Sequence, residues 1–194
     1  DLLSRLNRAS ILLAMARDAE ALAMLDAALA IDPMSARVHN HRGVALERVG
    51  RLEDARNEYR AAIRLGPKDA VAHNNLGAAF LKLGRLTEAE ASCQRAVQIN
   101  PDNADAHNNL GNTFKEQGRS AEAEASFRRA LQINSNNADT HNNLGNILKD
   151  TGRLAEANAS YKRALQIDPA FAKAYSNLLF LYSYQALLDP QEYL

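Results

Sequence analysis

The sequence predicts an all-α fold, a right-handed superhelix (α-solenoid) of antiparallel helix pairs with a period of 34 residues. Three observations carry that prediction. Glycines recur at one phase as Gly43, Gly77, Gly111 and Gly145, and at a second as Gly50, Gly84, Gly118 and Gly152. Alanines recur at Ala21, Ala55, Ala89, Ala123 and Ala157, and again at Ala28, Ala62, Ala96, Ala130 and Ala164. The stretch from Ala104 matches the stretch from Ala138 at 21 of 34 positions, so whole repeats recur and not isolated glycines.

Each repeat reads as two helices. In the first, Leu110, Gly111 and Phe114 share a face at helical spacing, as do Leu144, Gly145 and Leu148. Gly118 or Gly152 then ends that helix, because glycine takes the left-handed C-cap conformation without steric cost. The second helix runs through Glu122-Ala123 to Ile133. In other repeats this helix stops at an Asn-Pro or Asp-Pro step, where proline disfavours a helical conformation in the residue before it, and Ser135 stands in for that proline here. Leu76, Phe80, Cys93, Val97 and Ile99 are expected to fill the space between repeats. A helix pair of this size does not bury its apolar face alone, so stability comes from stacking on neighbours.

Residues 2–35 form a degenerate first repeat, in which Ala9 and Ala16 stand for the two glycines and Arg5 for a bulky residue. Its run from Ile11 to Ala16 is apolar nearly all round, so either it caps the array poorly or an upstream repeat or a partner is expected over it. Residues 36–69 keep Gly43 and Gly50 but carry His41 and Arg42 where later repeats have asparagine and leucine. Residues 70–103, 104–137 and 138–171 are the regular repeats. Residues 172–194 begin a sixth, with Tyr175, Asn177, Leu178 and Tyr182 in frame and Leu179 in place of glycine. Asp189, Pro190 and Glu192 read as a helix start with no room before Leu194, so a C-terminal continuation is expected, packed on Phe180, Tyr182, Tyr184 and Leu188.

Composition narrows the function. Lys plus Arg and Asp plus Glu are both 23, which makes no electrostatic case for nucleic acid or an anionic membrane as partner. No apolar run reaches the roughly 18 residues of a membrane-spanning helix. A single cysteine, Cys93, excludes an intrachain disulfide and points to a reducing compartment, with the cytoplasm as the default. It sits where other repeats have Tyr59, Phe127 and Tyr161, and reads as a small apolar filler. No phosphate-cradling loop, nucleophile elbow or pair of carboxylates appears, so neither catalysis nor a cofactor is expected.

His39, His73, His107 and His141 recur one repeat apart. Packed helices lie about 8–10 Å apart, too far for such residues to share a zinc ion that needs nitrogens about 2 Å away. No metal is expected, and these rings should pack between the two helices of a repeat. Arg51, Arg85, Arg119 and Arg153 read as solvated charges near a helix cap.

The functional lead is a series of asparagines. With positions 7, 8 and 11 of each first helix turned into the stack, positions 2, 5, 6, 9, 12 and 13 should face a concave groove. Position 6 reads His41, Asn75, Asn109, Asn143 and Asn177; position 9 adds Asn112 and Asn146; position 5 adds Asn74, Asn108 and Asn142. A carboxamide offers two donors and an acceptor, so one per repeat could hold the main chain of an extended peptide. Asparagine is a middling helix former, favoured at caps and turns, and its mid-helix recurrence needs a reason. Either a ligand supplies it, or duplication copied a harmless polar residue.

These marks resemble the tetratricopeptide repeat (TPR) family. Its signature falls here on His107, Leu110-Gly111, Phe114, Ala123, Phe127 and Ala130, with Ser135 in place of the closing proline. Some members grip chaperone C-termini through a lysine at position 5. Leu6, Asn40, Asn74, Asn108 and Asn142 occupy that position here, so that partner is disfavoured. The phrase His107-Asn108-Asn109-Leu110-Gly111-Asn112 through Lys115, repeated from His141 to Lys149, is similar to the TPR arm of O-linked N-acetylglucosamine transferases and their bacterial relatives. That resemblance implies a non-catalytic arm holding acceptor polypeptide for a glycosyltransferase outside this chain. The other reading is a free-standing adaptor that assembles with protein partners, or with itself as a homo-oligomer, through its exposed solenoid ends.

Overall fold

The first helix of each regular repeat starts where a side-chain oxygen can receive the free N–H groups of its first turn. Asp69 accepts from the amides of Val71 and Ala72, Asn103 from Ala106, and Asn137 from Thr140. At the other end Gly50, Gly84, Gly118 and Gly152 adopt φ of +81°, +71°, +75° and +77°. Around Gly50 the amide of Arg51 donates to Leu46 O at 2.9 Å and that of Gly50 to Glu47 O at 3.0 Å, which closes the helix and turns the chain back. In the first repeat Ala16 is forced into the same conformation at φ 56°.

The computed structural model describes residues 1–188, with side chains up to Ser183. These residues form α1 (Leu2–Ala14), α2 (Asp18–Leu29), α3 (Ala36–Arg48), α4 (Leu52–Leu65), α5 (Ala70–Lys82), α6 (Leu86–Ile99), α7 (Ala104–Glu116), α8 (Ser120–Ile133), α9 (Ala138–Asp150), α10 (Leu154–Ile167) and α11 (Ala172–Leu188), with no strand among them. The chain falls into two compact halves, Asp1–Pro101 and Asp102–Leu194. In each, every helix packs on the next, and first helices also touch first helices of neighbouring repeats: α1 with α3, α3 with α5, α7 with α9, and α9 with α11. The fold is the expected all-α array of helix pairs. The helix start read at Asp189, Pro190 and Glu192, and the packing expected of Tyr184 and Leu188, lie outside the described residues.

The two helices of a repeat meet at a socket. A Cβ on Gly111 would lie 2.6 Å from the Phe127 ring, one on Gly145 2.6 Å from Tyr161, and one on Gly43 2.5 Å from Tyr59. On Gly77 it would lie 2.4 Å from Cys93 Sγ. All four partners are fully buried, so Cys93 is the small core residue its place in the repeat suggests. The buried phenols keep hydrogen bonds, Tyr59 to Glu47 at 2.8 Å and Tyr161 to Asn146 Oδ1 at 2.9 Å.

Two expectations are sharpened. The position-4 histidines do not only fill space between the two helices of a repeat. Nε2 of His39, His73 and His141 lies 3.0, 3.2 and 3.1 Å from the carbonyl of Pro33, Pro67 and Ser135, six residues back, and so ties down the turn that enters the repeat. Nor are the cap arginines merely solvated. Arg51 pairs with Asp54, Arg85 with Glu88, Arg119 with Glu122 and Arg153 with Glu156, each three residues on in the first turn of a second helix.

Candidate functional site

On a helix each residue turns by about 100°, so positions 5 and 6 cannot point the same way. Position 5 turns toward the stack: Asn74 and Asn142 are only 8% and 5% exposed, so they offer little open surface to a groove. Their neighbours at position 6 lie half-buried and reach across to them from the next repeat. Nδ2 of Asn75 donates to Asn40 Oδ1 at 3.1 Å, Asn143 to Asn108 at 3.5 Å, and Asn177 to Asn142 at 2.9 Å. Asn108 Oδ1 also accepts from the Thr140 hydroxyl at 3.1 Å. The asparagine series is thus first a set of amide bridges between successive first helices.

That geometry uses one donor of Asn75, Asn143 and Asn177 and leaves each a second donor and its oxygen. In the C-terminal half these groups converge. Lys115, Asn142, Asn143, Asn146, Lys173 and Asn177 line a mostly polar hollow of about 460 Å³ between α7, α9 and α11. Lys173 belongs to none of the repeated phrases; it holds position 2 of the sixth repeat, a position expected to face the groove. Asn146 reaches the hollow while its oxygen accepts from Tyr161. Burial, and then the nearby Asp150 carboxylate, push that phenol up to about 12, so it stays a donor at neutral pH. Lys115 lies 3.2 Å from Glu116, which softens its charge.

The other predicted residues fall elsewhere. Lys149 is not on the hollow's wall; its ammonium stands 5.4 Å from the centre of the Phe180 ring and 3.4 Å from Asp150. His41 turns Nδ1 to the carbonyl of Arg37 on its own helix at 2.8 Å. Asn109 and Asn112 are half-buried on α7. Arg42, which replaces the usual leucine, bridges Asp26 at 2.7 Å and Glu58 at 2.5 Å, and Glu58 also meets His39 Nδ1 at 2.7 Å. Its guanidinium pKa is raised by these carboxylates despite partial burial. Among the described residues no group of three or more His, Cys, Asp or Glu side chains is arranged to hold a metal ion. Among them too, no helix is long and apolar enough to cross a membrane.

Helix pairs with this socket, this turn and this period define a class of repeat protein. Tetratricopeptide-repeat profiles match residues 6–70, 45–104, 104–137 and 126–157, and a TPR-repeat profile matches 145–183; the chain belongs to the tetratricopeptide repeat family. No curated protein matches it. Among solved structures it is similar to TTC0263, a thermophilic TPR protein of Thermus thermophilus, at 22% identity, TM-score 0.81, and coverage of 94% of this chain and 99% of that one. It is similar also to YrrB, described as a TPR protein with an unusual peptide-binding site, at 24% identity and TM-score 0.66, with 91% of each chain covered. A third likeness is to a chain of the APC/C hetero-tetramer Cut9-Hcn1, at 18% identity and TM-score 0.89, over 95% of this chain and 37% of that one. At these identities the likeness shows the fold.

Proposed function

We propose that the hollow between α7, α9 and α11 holds polypeptide in extended conformation. The observation that carries this reading is the convergence of Asn143, Asn146 and Asn177 with Lys115 and Lys173 on one cavity. Asn143 and Asn177 each keep a donor and an acceptor after bridging the repeats, a complement to the alternating N–H and C=O of an extended main chain. The two ammonium groups add a preference for acidic residues beside the gripped segment.

Within that reading the chain serves as the acceptor-docking arm of a glycosyltransferase related to O-linked N-acetylglucosamine transferases, with the UDP-sugar chemistry outside this segment. Support for it is the repeated His-Asn-Asn-Leu-Gly-Asn phrase at His107 and His141. A second reading, a protein adaptor or self-assembling scaffold, is favoured by apolar side chains left exposed on α1 (Leu3, Ile11) and its C-cap Met15, and on α11 (Tyr175, Leu179, Phe180). The residues encoded after Leu194 separate these: a sugar-nucleotide transferase domain supports the arm, a stop codon or a further repeat the adaptor.

Peptide binding itself is tested by titrating the full chain with an arrayed library of peptides and measuring the best binders by calorimetry. Asn143→Ala with Asn146→Ala should weaken them at least about tenfold, about 1.4 kcal/mol. Unchanged affinity with intact helicity would sink the reading.

A further inference from the structure

A second cavity, of about 440 Å³, opens among α8, α9 and α10, away from the amide hollow, and is lined by Arg128, Leu131, His141, Leu144, Ser160 and Arg163 among others. Its meaning comes from comparing repeats. In the second repeat the corresponding place is filled from within: Glu58 sits between His39 Nδ1 at 2.7 Å and Arg42 Nη1 at 2.5 Å. In the same register the fifth repeat keeps the histidine as His141 but has Ser160 where Glu58 stands and Leu144 where Arg42 stands.

The fourth repeat offers an independent comparison. There Arg129 donates to Asp102 at 3.0 Å. The residue in the same register one repeat on is Arg163, and the counterpart of Asp102 is Asn136. Both carboxylates that earlier repeats provide are therefore neutral in the fifth, where Leu144 has also taken the place of Arg42 but the guanidinium of Arg129 is kept as Arg163. Arg163 donates to the neutral Gln166 at 3.2 Å. Arg128 is already held by Glu124 at 2.9 Å and Glu156 at 3.3 Å, so Arg163 supplies most of the uncompensated charge. His141 is seated as His39 is, with Nε2 on the carbonyl six residues back, so its Nδ1 is turned toward the place that Glu58 occupies in the second repeat. Burial foremost, and Arg163 after it, hold the His141 pKa below the ordinary histidine value, as expected of a ring with no carboxylate beside it.

We propose that this notch is a second binding site, whose ligand is a glutamate side chain of a partner polypeptide supplying in trans the carboxylate that Glu58 supplies in cis. The carboxylate lies between His141 Nδ1 and the Arg163 guanidinium, with the Ser160 hydroxyl as a further donor. The methylene stem rests on Leu131 and Leu144, which explains an apolar wall under a cationic rim.

The probe is an acetylated, amidated hexaglutamate peptide, with hexaglutamine as its neutral control, titrated into the isotopically labelled full chain and followed by NMR at the His141 imidazole and Arg163 Nε. Hexaglutamate should give saturable shifts at both groups, and hexaglutamine none. Arg163→Gln, an exposed change, should weaken binding at least about fivefold. Ser160→Glu should move the His141 signals toward their bound positions without peptide and abolish further response. Absence of saturable shifts at His141, equal binding by Arg163→Gln, or shifts confined to Lys115 and Lys173 would each overturn the proposal.

Discussion

Asn177 Nδ2 donates to Asn142 Oδ1 at 2.9 Å, joining α11 to α9 through side chains that sit 35 residues apart in sequence. Because Asn142 is 5% exposed, the bond is sheltered from water and its loss strands a buried oxygen. Asn142→Ala and Asn177→Ala should each destabilise the protein by about 1–2 kcal/mol. In a double-mutant cycle read from urea midpoints the pair should couple by about 0.5–1.5 kcal/mol. Additive losses would show that the bridge carries no stability.

The contact between Gly111 and the Phe127 ring predicts intolerance to a single methyl. A Cβ 2.6 Å from the ring forces either a helix shift or an off-rotamer phenylalanine, so Gly111→Ala should cost about 1–3 kcal/mol. Gly77 faces the smaller Cys93, and its Cβ would also meet backbone atoms of Cys93 and Ala89 at 3.2 and 3.3 Å. Gly77→Ala combined with Cys93→Ala should therefore recover part of the loss of Gly77→Ala alone. A double variant no better than the single one in thermal unfolding would mean that backbone, and not the sulfur, sets the limit.

Ala16 sits at φ 56° where later repeats have glycine. An alanine in the left-handed region costs roughly 1–2 kcal/mol, offset by the greater freedom glycine has when unfolded. Ala16→Gly should stabilise the first repeat by about 0.5–1 kcal/mol. The reverse change, Gly152→Ala at φ +77°, should destabilise by a similar amount even though open space surrounds it. Circular-dichroism melts of the two variants should move in opposite directions.

Burial pushes the Cys93 thiol up to about 12. At pH 8 only about one thiol in ten thousand would be thiolate, so native protein should resist a disulfide reagent that labels urea-unfolded protein at once. The sign of the pH linkage follows. The unfolded thiol ionises near pH 8.5 while the folded one keeps its proton, so this contribution is intact below about pH 8.5 and is lost as pH rises toward 12. Urea midpoints should fall between about pH 8 and about pH 10.5, and fall less for Cys93→Ala. Rapid native labelling would show that the α5–α6 pair opens locally.

Part of the candidate site is legible in the sequence and part is not. Asn143, Asn146, Asn177 and Lys115 are marked by register alone and do line the hollow. Lys149, marked by the same reasoning, does not, because Phe180 at position 9 of α11 draws its ammonium onto the ring. Lys173 belongs to the least regular repeat and matches no phrase. The role of the histidines is hidden because a bond to a carbonyl six residues back depends on how the preceding loop folds over the helix start.

The sequence by itself determined the period, the helix pairs, their ends and their contact face. Those features rest on local physics: glycine where φ must be positive, proline where a helix must stop, and small residues where backbones meet. Only the tertiary structure decided that adjacent asparagines part company, one buried as an acceptor and the next bridging to it from the following repeat. It alone decided, too, which carboxylates reach which cations. Those outcomes depend on the distance and rotation between repeats, quantities that no single repeat encodes.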